Sequence, residues 1–309
     1  MKPLSGTLVV DLTRLLPGAF ASRELLRLGA RVVHVEPPDG DPMRAVAPQW
    51  EAELNAGKES VVCDLKADAG FARRLLQRAD VVLEGFRPGV AARLGVGPDD
   101  VPERAVYCSI KGFGGDDRRA GHDLNYLGWA GALAETAPGL PPLPIADLAA
   151  GGLGAVTEIL AALLERARTG RGARLVVSMT HNAHELGRFG DPLTGRLACY
   201  RIYSCADGRF LTVAALEERF FARLCELIER PDLAPRQYDA EQEALAGQLS
   251  AVFGGRPLHE WVSLFEGEDV CAGPVATYAE AADTFGRGNG GRAPTLGEHT
   301  AAWRSELGL

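Results

Sequence analysis

Apolar and polar positions alternate in two different rhythms through the first half of the chain. Short runs rich in valine and other β-branched residues indicate buried strands, and they span residues 6–12, 31–36, 60–65, 80–84, 105–110 and 174–179. Between them, residues 19–28 and 67–78 have the spacing of helices that bury one face, and Gly29 ends the first of these helices. Strands that are separated by helices pair in parallel, with crossover helices on both faces of the sheet. The pattern therefore predicts an α/β fold with a doubly wound parallel sheet.

The pattern changes in the second half of the chain. A long apolar helix is predicted over residues 148–168, and Asp147 precedes it at the cap position, where free backbone N–H groups and the positive end of the helix dipole converge. Residues 200–205 and 209–214 then flank an Asp-Gly turn, which predicts an antiparallel hairpin. Further helical patterns follow the hairpin.

The length of 309 residues favours two domains, since domains usually contain about 100–200 residues. We expect a large α/β domain over residues 1–190, to which residues 292–309 return at the end of the chain. The hairpin and the helices that follow it predict a smaller α+β domain over residues 191–291.

Charge and hydropathy narrow the function classes. The net charge of −8 disfavours binding to nucleic-acid phosphates, so no nucleic-acid partner is expected. The N-terminal residues do not have the pattern of a signal peptide, and no apolar run of about 18 residues predicts a membrane span. We therefore expect a cytoplasmic protein without a membrane partner.

Metal and nucleotide motifs are missing from the sequence. Six cysteines are scattered without a Cys-x-x-Cys pair, and His181 and His184 have no third ligand at a suitable spacing, so no metal site is predicted. No glycine-rich phosphate-binding turn follows the first predicted strand, which disfavours a nicotinamide-dependent dehydrogenase or a nucleoside triphosphatase.

Several short motifs occur in a fixed order along the chain. They are Val10-Asp11-Leu12-Thr13, Asn55-Ala56-Gly57-Lys58, Phe86-Arg87-Pro88-Gly89-Val90, Ser109-Ile110-Lys111-Gly112-Phe113-Gly114, Cys271-Ala272-Gly273-Pro274 and Leu296-Gly297-Glu298-His299. In this order they resemble one protein family, class III CoA-transferase (CaiB/BaiF). The segment Gly121–Tyr126, which contains His122, is most similar to the α-methylacyl-CoA racemases of that family.

The resemblance implies a fold, a substrate and an assembly. It implies that the large domain is a Rossmann-like domain that binds CoA, and that two chains interlock as a homodimer. The implied substrate is an acyl-CoA thioester. No prosthetic group is expected, since coenzyme A enters as part of the substrate.

The resemblance also implies the reaction, which is inversion at the carbon next to the thioester carbonyl by proton transfer. Stereoinversion needs one acid and one base on opposite faces of a planar enolate. We expect His122 and Asp147 to be these two groups, and Glu217 to orient the histidine ring. Imidazole titrates near neutral pH in general, whereas an aspartate needs partial desolvation before it becomes a competent base. On this reading, free N–H groups of the helix that begins at Asp147 would stabilise the enolate oxygen.

Coenzyme A carries three phosphate groups, so its site should present basic side chains and exposed backbone N–H groups. The resemblance places Arg44, Arg87 and Lys58 among the CoA contacts. Gly112 would let the backbone approach the pantetheine arm closely, and Phe113 lies beside it in the sequence.

Two other functions compete with racemisation. A CoA-transferase would use Asp147 as a nucleophile on the thioester and pass through a mixed anhydride, with His122 dispensable. A non-catalytic acyl-CoA binder would keep the fold without the reaction. The acyl group itself is left open, because the connection between Met179 and Ala198 is shorter than in most relatives and the chain has only three methionines.

Overall fold

A computed structural model describes residues 2–189, 193–286 and 291–309. The strands, in chain order, are β1 (Leu8–Asp11), β2 (Arg31–Glu36), β3 (Glu59–Val62), β4 (Val81–Glu84), β5 (Val106–Lys111), β6 (Arg174–Ser178), β7 (Tyr200–Ser204), β8 (Phe210–Ala214) and β9 (Ala272–Pro274).

The helices are α1 (Leu16–Arg27), α2 (Met43–Val46), α3 (Pro48–Leu54), α4 (Ala69–Arg78), α5 (Val90–Arg93), α6 (Asp123–Trp129), a π-helix (Ala146–Leu153), α7 (Gly154–Thr169), α8 (Met179–Gly187), α9 (Glu218–Leu227), a 3₁₀ helix (Pro231–Arg236), α10 (Gln242–Phe253), α11 (Leu258–Phe265), α12 (Tyr278–Phe285) and α13 (Thr300–Glu306). By their contacts, residues 1–188 and 288–309 form one compact unit, and residues 189–287 form a second.

The first unit is built on a parallel sheet of six strands in the order β3-β2-β1-β4-β5-β6. The predicted α/β fold with a doubly wound sheet is therefore confirmed. Consecutive valines show why helices cover both faces: Val9 packs into one core with α1 and α7, whereas Val10 packs into another core with α4.

The end of the chain completes the first unit. His299 and Thr300 accept hydrogen bonds from the backbone N–H groups of Ser60 and Val62 on the edge strand β3. Trp303 on α13 is buried, donates its indole N–H to Glu59, and lies 4.2 Å from the Arg31 guanidinium. These contacts cover the outer edge of the sheet.

The second unit contains an antiparallel sheet of three strands in the order β7-β8-β9. The predicted hairpin is confirmed, since Arg201 of β7 pairs with Val213 of β8. Its core includes Tyr203, Phe253 and Trp261, and the last two rings meet edge to face with centroids 5.3 Å apart. The unit is thus a small α+β domain.

The predicted long helix differs from the observed one at its start. Helical structure begins at Ala146 rather than after Asp147, and its first eight residues form a π-helix that continues into α7. Gly152 allows this segment to lie against α1, because a Cβ there would be 2.7 Å from a ring carbon of Phe20 and 3.3 Å from the Pro17 carbonyl oxygen. Short π-helical segments occur frequently at functional sites.

Among the described residues, one helical stretch is long and apolar enough to cross a membrane by length and composition alone. It is Ala146–Thr169, the π-helix together with α7. Core helices of folded domains pass the same test, and this stretch packs Ala155 and Ile159 into the core of the first unit.

Below the carboxyl end of β1 lies a buried polar network. The Lys58 ammonium is fully buried and donates hydrogen bonds to the Ala19 carbonyl, the Ser22 hydroxyl and the Asn55 amide oxygen. It lies 3.9 Å from the carboxylate of Asp11, which also accepts from Ser22. Burial lowers the pKa of Lys58 to about 8, although the nearby carboxylates of Asp11 and others raise it.

We expect Lys58→Met to destabilise the fold, because it leaves Asp11 as a buried carboxylate without its cation. The expected loss is about 3–5 kcal/mol in the free energy of unfolding, measured by urea denaturation. Lys66→Met, at an exposed lysine, is the control and should change stability by less than about 0.5 kcal/mol. Equal stability of the two variants would contradict the structural role of Lys58.

Candidate active site

An open cleft of about 850 Å³ lies at the carboxyl ends of β1, β4 and β5. The chain order of the strands reverses between β1 and β4, so the cleft lies at the point where doubly wound sheets usually bind ligands. Every residue that lines it belongs to the first unit. The candidate site can therefore be described within one compact body.

Three segments form the cleft walls. The first is the turn between β1 and α1, where Leu15 has a φ of 66° and donates its backbone N–H to Asp41. Such a backbone is unfavourable for leucine and is retained where the surrounding structure fixes it. Trp50 on α3, with α2, gives a second, largely apolar wall, and the loop after β5 gives the third.

His122 lies in the cleft at the start of α6 and is exposed. It is the cap residue of that helix, with an extended backbone, and its N–H donates to the side-chain oxygen of Asn125 at 3.0 Å. Tyr126 fixes the same segment from below, because its hydroxyl donates to the Gly121 carbonyl. The imidazole is thus held on an ordered helix start and faces the open cleft.

Asp147 lines the same cleft from the first turn of the π-helix. Its carboxyl accepts no hydrogen bond from any of the residues that the structure describes, whereas its backbone N–H donates to the Asp123 carboxylate at 2.8 Å. Burial raises the pKa of the Asp147 carboxyl to about 7, and the charge of Asp123 adds to this rise. The structure therefore brings His122 and a carboxyl that holds its proton near neutral pH into one cleft.

Two of the backbone N–H groups that were predicted to stabilise the enolate oxygen at the helix start are already hydrogen-bonded within the protein. The N–H of Asp147 is occupied by Asp123, and the N–H of Leu148 donates to the Pro144 carbonyl. The physical reason is that the helix starts earlier than its sequence pattern indicates. Asp147 is consequently inside the first turn and not at the cap.

Gly112 and Phe113 both line the cleft. A Cβ at Gly112 would lie 2.4 Å from the ring of Tyr126, so the close approach that requires glycine here is made by this ring. Phe113 is buried against Tyr126, with ring centroids 5.5 Å apart, and carries the Arg119 guanidinium 4.0 Å above its own ring. Both residues therefore shape the segment that holds His122.

Arg87 is exposed in the cleft and makes no hydrogen bond or ion pair with the described part of the chain. The turn that carries it is braced by Glu84, which accepts from the Phe86 N–H at 2.6 Å and from the Lys111 ammonium at 2.7 Å. The guanidinium of Arg87 is thus unpaired within the described chain, and its role as a CoA contact stays a prediction.

A smaller hollow of about 110 Å³ adjoins the cleft, since Arg14 and Phe86 line both. Its walls are mostly apolar and include Pro37 and Leu65, and Lys66 also lines it. The side chains of Arg14 and Lys66 are exposed and have no partner among residues 2–189, 193–286 and 291–309. Sequence analysis did not identify these two cations, because unpaired charge is visible only once neighbouring strands are in place.

Two predicted CoA contacts lie elsewhere. Lys58 is the buried ammonium of the network below β1 and does not line the cleft. Arg44 donates two hydrogen bonds of 2.7 Å to the Glu36 carboxylate and a third hydrogen bond to the Pro294 carbonyl. Burial alone would raise the pKa of Glu36, but the bonds from Arg44 hold it at about 2. In this structure both cations are already satisfied by the protein, so we do not propose them as CoA contacts.

Glu217 belongs to the second unit, where it is the exposed residue that precedes α9. Its predicted role in orienting His122 stays a prediction. His181 and His184 are exposed on α8, and His184 bonds the Ala130 carbonyl. Within the described ranges, no group of three or more His, Cys, Asp or Glu side chains is arranged to hold a metal ion.

The first unit, a doubly wound α/β fold, thus brings an imidazole, a half-buried carboxyl and unpaired cations to one cleft and its adjoining hollow. Residues 4–287 match the family described as CoA-transferase family III. The chain belongs to this family.

Relatives with both kinds of activity are found in the family. The chain is 35% identical to the α-methylacyl-CoA racemase of Homo sapiens over 308 residues, which cover 90% of this chain and 78% of the human protein. It is 31% identical to the acetyl-CoA:oxalate CoA-transferase of Acetobacter aceti, over 91% of this chain and 82% of that protein.

Solved structures agree with the fold. A crystal structure of the Mycobacterium tuberculosis protein Rv3272 superimposes with a TM-score of 0.84 and 29% identity, over 98% of this chain and 99% of the other. A CaiB/BaiF family protein from Brucella suis gives a TM-score of 0.81 and 27% identity, over 99% of both chains. The predicted family and fold are therefore confirmed.

The Asp147 carboxyl has a pKa of 3.8 when unperturbed and of about 7 in the folded chain, so the folded state binds its proton more tightly than the unfolded state does. The free energy of unfolding should therefore fall as pH rises from 3.8 to about 7. Above about pH 7 the whole decrease, up to about 4 kcal/mol, is present.

Asp147→Asn should remove this cost. We expect its gain in the free energy of unfolding over wild type to be about 2 kcal/mol larger at about pH 8.5 than at about pH 5.5, measured by denaturant unfolding at both values. Asp116→Asn, at an exposed aspartate outside the cleft, should show no such pH dependence. A gain for Asp147→Asn that is independent of pH would contradict the raised pKa.

Proposed function

We propose that the protein is an acyl-CoA racemase or epimerase that inverts the carbon next to the thioester carbonyl. The observation that carries this proposal is the shared cleft, in which the His122 imidazole and the Asp147 carboxyl both face the space available to a substrate. The pKa of about 7 gives Asp147 a proton to donate near neutral pH, while His122 supplies the second side chain that lines the cleft.

The reaction balances with these two groups alone. One of them removes the α-proton and leaves a planar enolate whose charge is on the thioester oxygen. The other then delivers its own proton to the opposite face of the same carbon. After one turnover each group has the protonation state that the other substrate enantiomer requires, so the pair works in both directions.

Asp147 is suited to the acid role by its surroundings. A carboxyl with a pKa near 4 would be ionised at neutral pH and could only accept a proton. Partial removal from water, with no hydrogen-bond donor to the carboxyl among the described residues, makes ionisation unfavourable, so Asp147 keeps its proton while remaining within the cleft. Its pKa also lies near the operating pH, where general acid–base catalysis is most effective.

The cations around the cleft support a CoA thioester as substrate. Arg87, Arg14 and Lys66 are exposed and unpaired within the described chain, and they follow one path from the cleft into the adjoining hollow. We propose that they bind the phosphates of coenzyme A, with the adenine against the apolar walls of the hollow. Coenzyme A would thus be held as part of the substrate, and the proposed proton transfer needs no prosthetic group.

The second candidate is a CoA-transferase, and the 31% identity to a transferase favours keeping it. In that reaction the ionised Asp147 attacks the thioester carbon, coenzyme A leaves, and the acyl group forms a mixed anhydride with the carboxylate. Coenzyme A then attacks the enzyme acyl carbon of this anhydride, which gives an enzyme thioester and releases the first carboxylic acid. The second carboxylate attacks the enzyme thioester and releases coenzyme A, which attacks the acyl carbon of the new anhydride to give the product thioester and free Asp147. His122 has no necessary part in these steps, so its removal separates the two functions.

The acyl group, an interlocked homodimer, a cytoplasmic location and the role of Glu217 all stay predictions. Trp50, Val46 and the other apolar residues of the α2–α3 wall favour an uncharged part of the substrate on that side of the cleft.

Incubation with 2-methylacyl-CoA thioesters in deuterium oxide tests the racemase directly, because proton removal exchanges the α-hydrogen. We expect exchange with wild type and a loss of at least about 100-fold in His122→Ala. His181→Ala, an exposed histidine outside the cleft, should keep wild-type exchange.

If His122→Ala retains turnover and the protein moves coenzyme A between carboxylic acids, the transferase is correct. If CoA thioesters bind without exchange or transfer across a broad acyl panel, the protein is a binder that has lost catalysis.

The unpaired cations should govern substrate affinity and not the chemical step. We expect Arg87→Met and Lys66→Met each to raise KM for an acyl-CoA by about tenfold, since a charged phosphate contact contributes about 1.4 kcal/mol or more. The values of kcat should change by less than about twofold. Lys2→Met, at an exposed lysine outside the cleft and the hollow, is the control. If Arg87→Met and Lys66→Met have the same KM as this control, coenzyme A binds elsewhere.

A further inference from the structure

Asp123 follows His122 directly, yet its side chain is engaged with Asp147. Its carboxylate accepts the backbone N–H of Asp147 at 2.8 Å, and it is not among the residues that line the cleft. The structure shows that it joins α6 to the π-helix, and thus connects the two segments that carry the proposed proton carriers.

The contact places the Asp123 carboxylate against the backbone of Asp147. Asp123 donates nothing in return, and the Asp147 carboxyl has no hydrogen-bond donor among the described residues. A neutral amide at position 123 could accept the same N–H and hold the same backbone geometry. The negative charge of Asp123 is therefore more than the hydrogen bond requires, and its effect falls on the neighbouring carboxyl.

We propose that Asp123 is a positioning residue with two effects on Asp147: its hydrogen bond fixes the backbone of Asp147 relative to His122, and its charge favours the protonated form of the Asp147 carboxyl. The proposal rests on the proposed function of the cleft for its catalytic meaning. The hydrogen bond that joins the two segments stands on the geometry alone.

The electrostatics of the site agree with this assignment. Burial is the largest cause of the raised pKa of Asp147, and the charge of Asp123 is the other. A like charge beside a carboxyl disfavours a second ionisation, most strongly where water is excluded.

Other charged groups do not replace Asp123 in this role. Across the cleft, Lys111 is paired with Glu84 and Arg119 with Asp117, while Arg14 and Arg87 line the cleft and form no ion pair within the described chain. On α6, His122 and Tyr126 adjoin the site. Burial raises the pKa of Tyr126, and the charge of Asp147 adds to this rise. The titratable groups on the nearest turns of α1, α7 and α8, none of which shifts the pKa of Asp147, are Arg23, Glu24, Glu158, His181, His184 and Glu185.

Asp123→Asn separates charge from hydrogen bonding. In the pH profile of α-hydrogen exchange, we expect the ionisation assigned to Asp147 to move to lower pH by about one unit, with KM unchanged within about twofold. Asp123→Ala should show the same displacement and, in addition, a loss of about tenfold or more in kcat because the backbone contact is gone. Asp116→Asn, in the same connection between β5 and α6, should keep the wild-type profile. An unchanged profile in Asp123→Asn would overturn the proposal.

A second measurement does not depend on activity. The stabilisation produced by Asp147→Asn at about pH 8.5 is measured in the wild-type background and in the Asp123→Asn background, as a double-mutant cycle. We expect a smaller gain in the second background, because one cause of the unfavourable ionisation has been removed. Equal gains in both backgrounds would show that the carboxyls are uncoupled and would overturn the proposal.

If Asp123→Asn does not fold, Asp123→Ser replaces it in both experiments, since its hydroxyl is also a neutral acceptor. The two readouts also separate this proposal from the proposed function. Absence of exchange in wild type would refute the racemase, while the stability cycle would still decide whether Asp123 acts on Asp147.

Discussion

A half-buried carboxyl that accepts no hydrogen bond from the described residues is the constraint on which the site of this protein depends. Folded proteins usually pair or solvate such groups, because an ionised carboxylate in a water-poor environment is costly. Asp147 is partly removed from water, none of the described residues donates to its carboxyl, and the Asp123 carboxylate binds its backbone N–H. The carboxyl is therefore kept as an acid near neutral pH, at the expense of stability at higher pH.

The surrounding fold makes this arrangement possible. The π-helix that carries Asp147 is held against α1 through Gly152 and packs its next turns into the core of the first unit. His122 is fixed separately, by Asn125 and by the Tyr126 ring that fills the space above Gly112. Two rigid segments thus hold the two groups, and a rigid frame is what catalysis by proton transfer requires.

The cations of the first unit fall into two groups with different roles. Lys58 and Arg44 are satisfied by buried carboxylates and backbone carbonyls, and they stabilise the turns beneath the cleft. Arg87 and Lys66 are exposed and unpaired within the described chain. Motif resemblance gave Arg44, Lys58 and Arg87 the same role, and only the positions of Glu36 and Asp11 in the folded sheet distinguish them.

The sequence was sufficient for the fold and for part of the site. Valine-rich runs and helical spacing predicted the six parallel strands and the hairpin, because period and burial are local properties. Motif resemblance identified His122 and Asp147, the two residues of the cleft that we propose as proton carriers. The link from Asp123 to Asp147 was missed, because it is a contact between segments 24 residues apart.

The protonation of Asp147 is the central claim, and infrared difference spectroscopy of wild type against Asp147→Asn measures it most directly. A protonated carboxyl has a C=O stretch distinct from that of a carboxylate, so titration of this band reports the one side chain that differs between the two proteins. The account predicts a band of the protonated acid at about pH 6 that disappears through about pH 7 to 8. A carboxylate signal at every pH down to about 5 would contradict it.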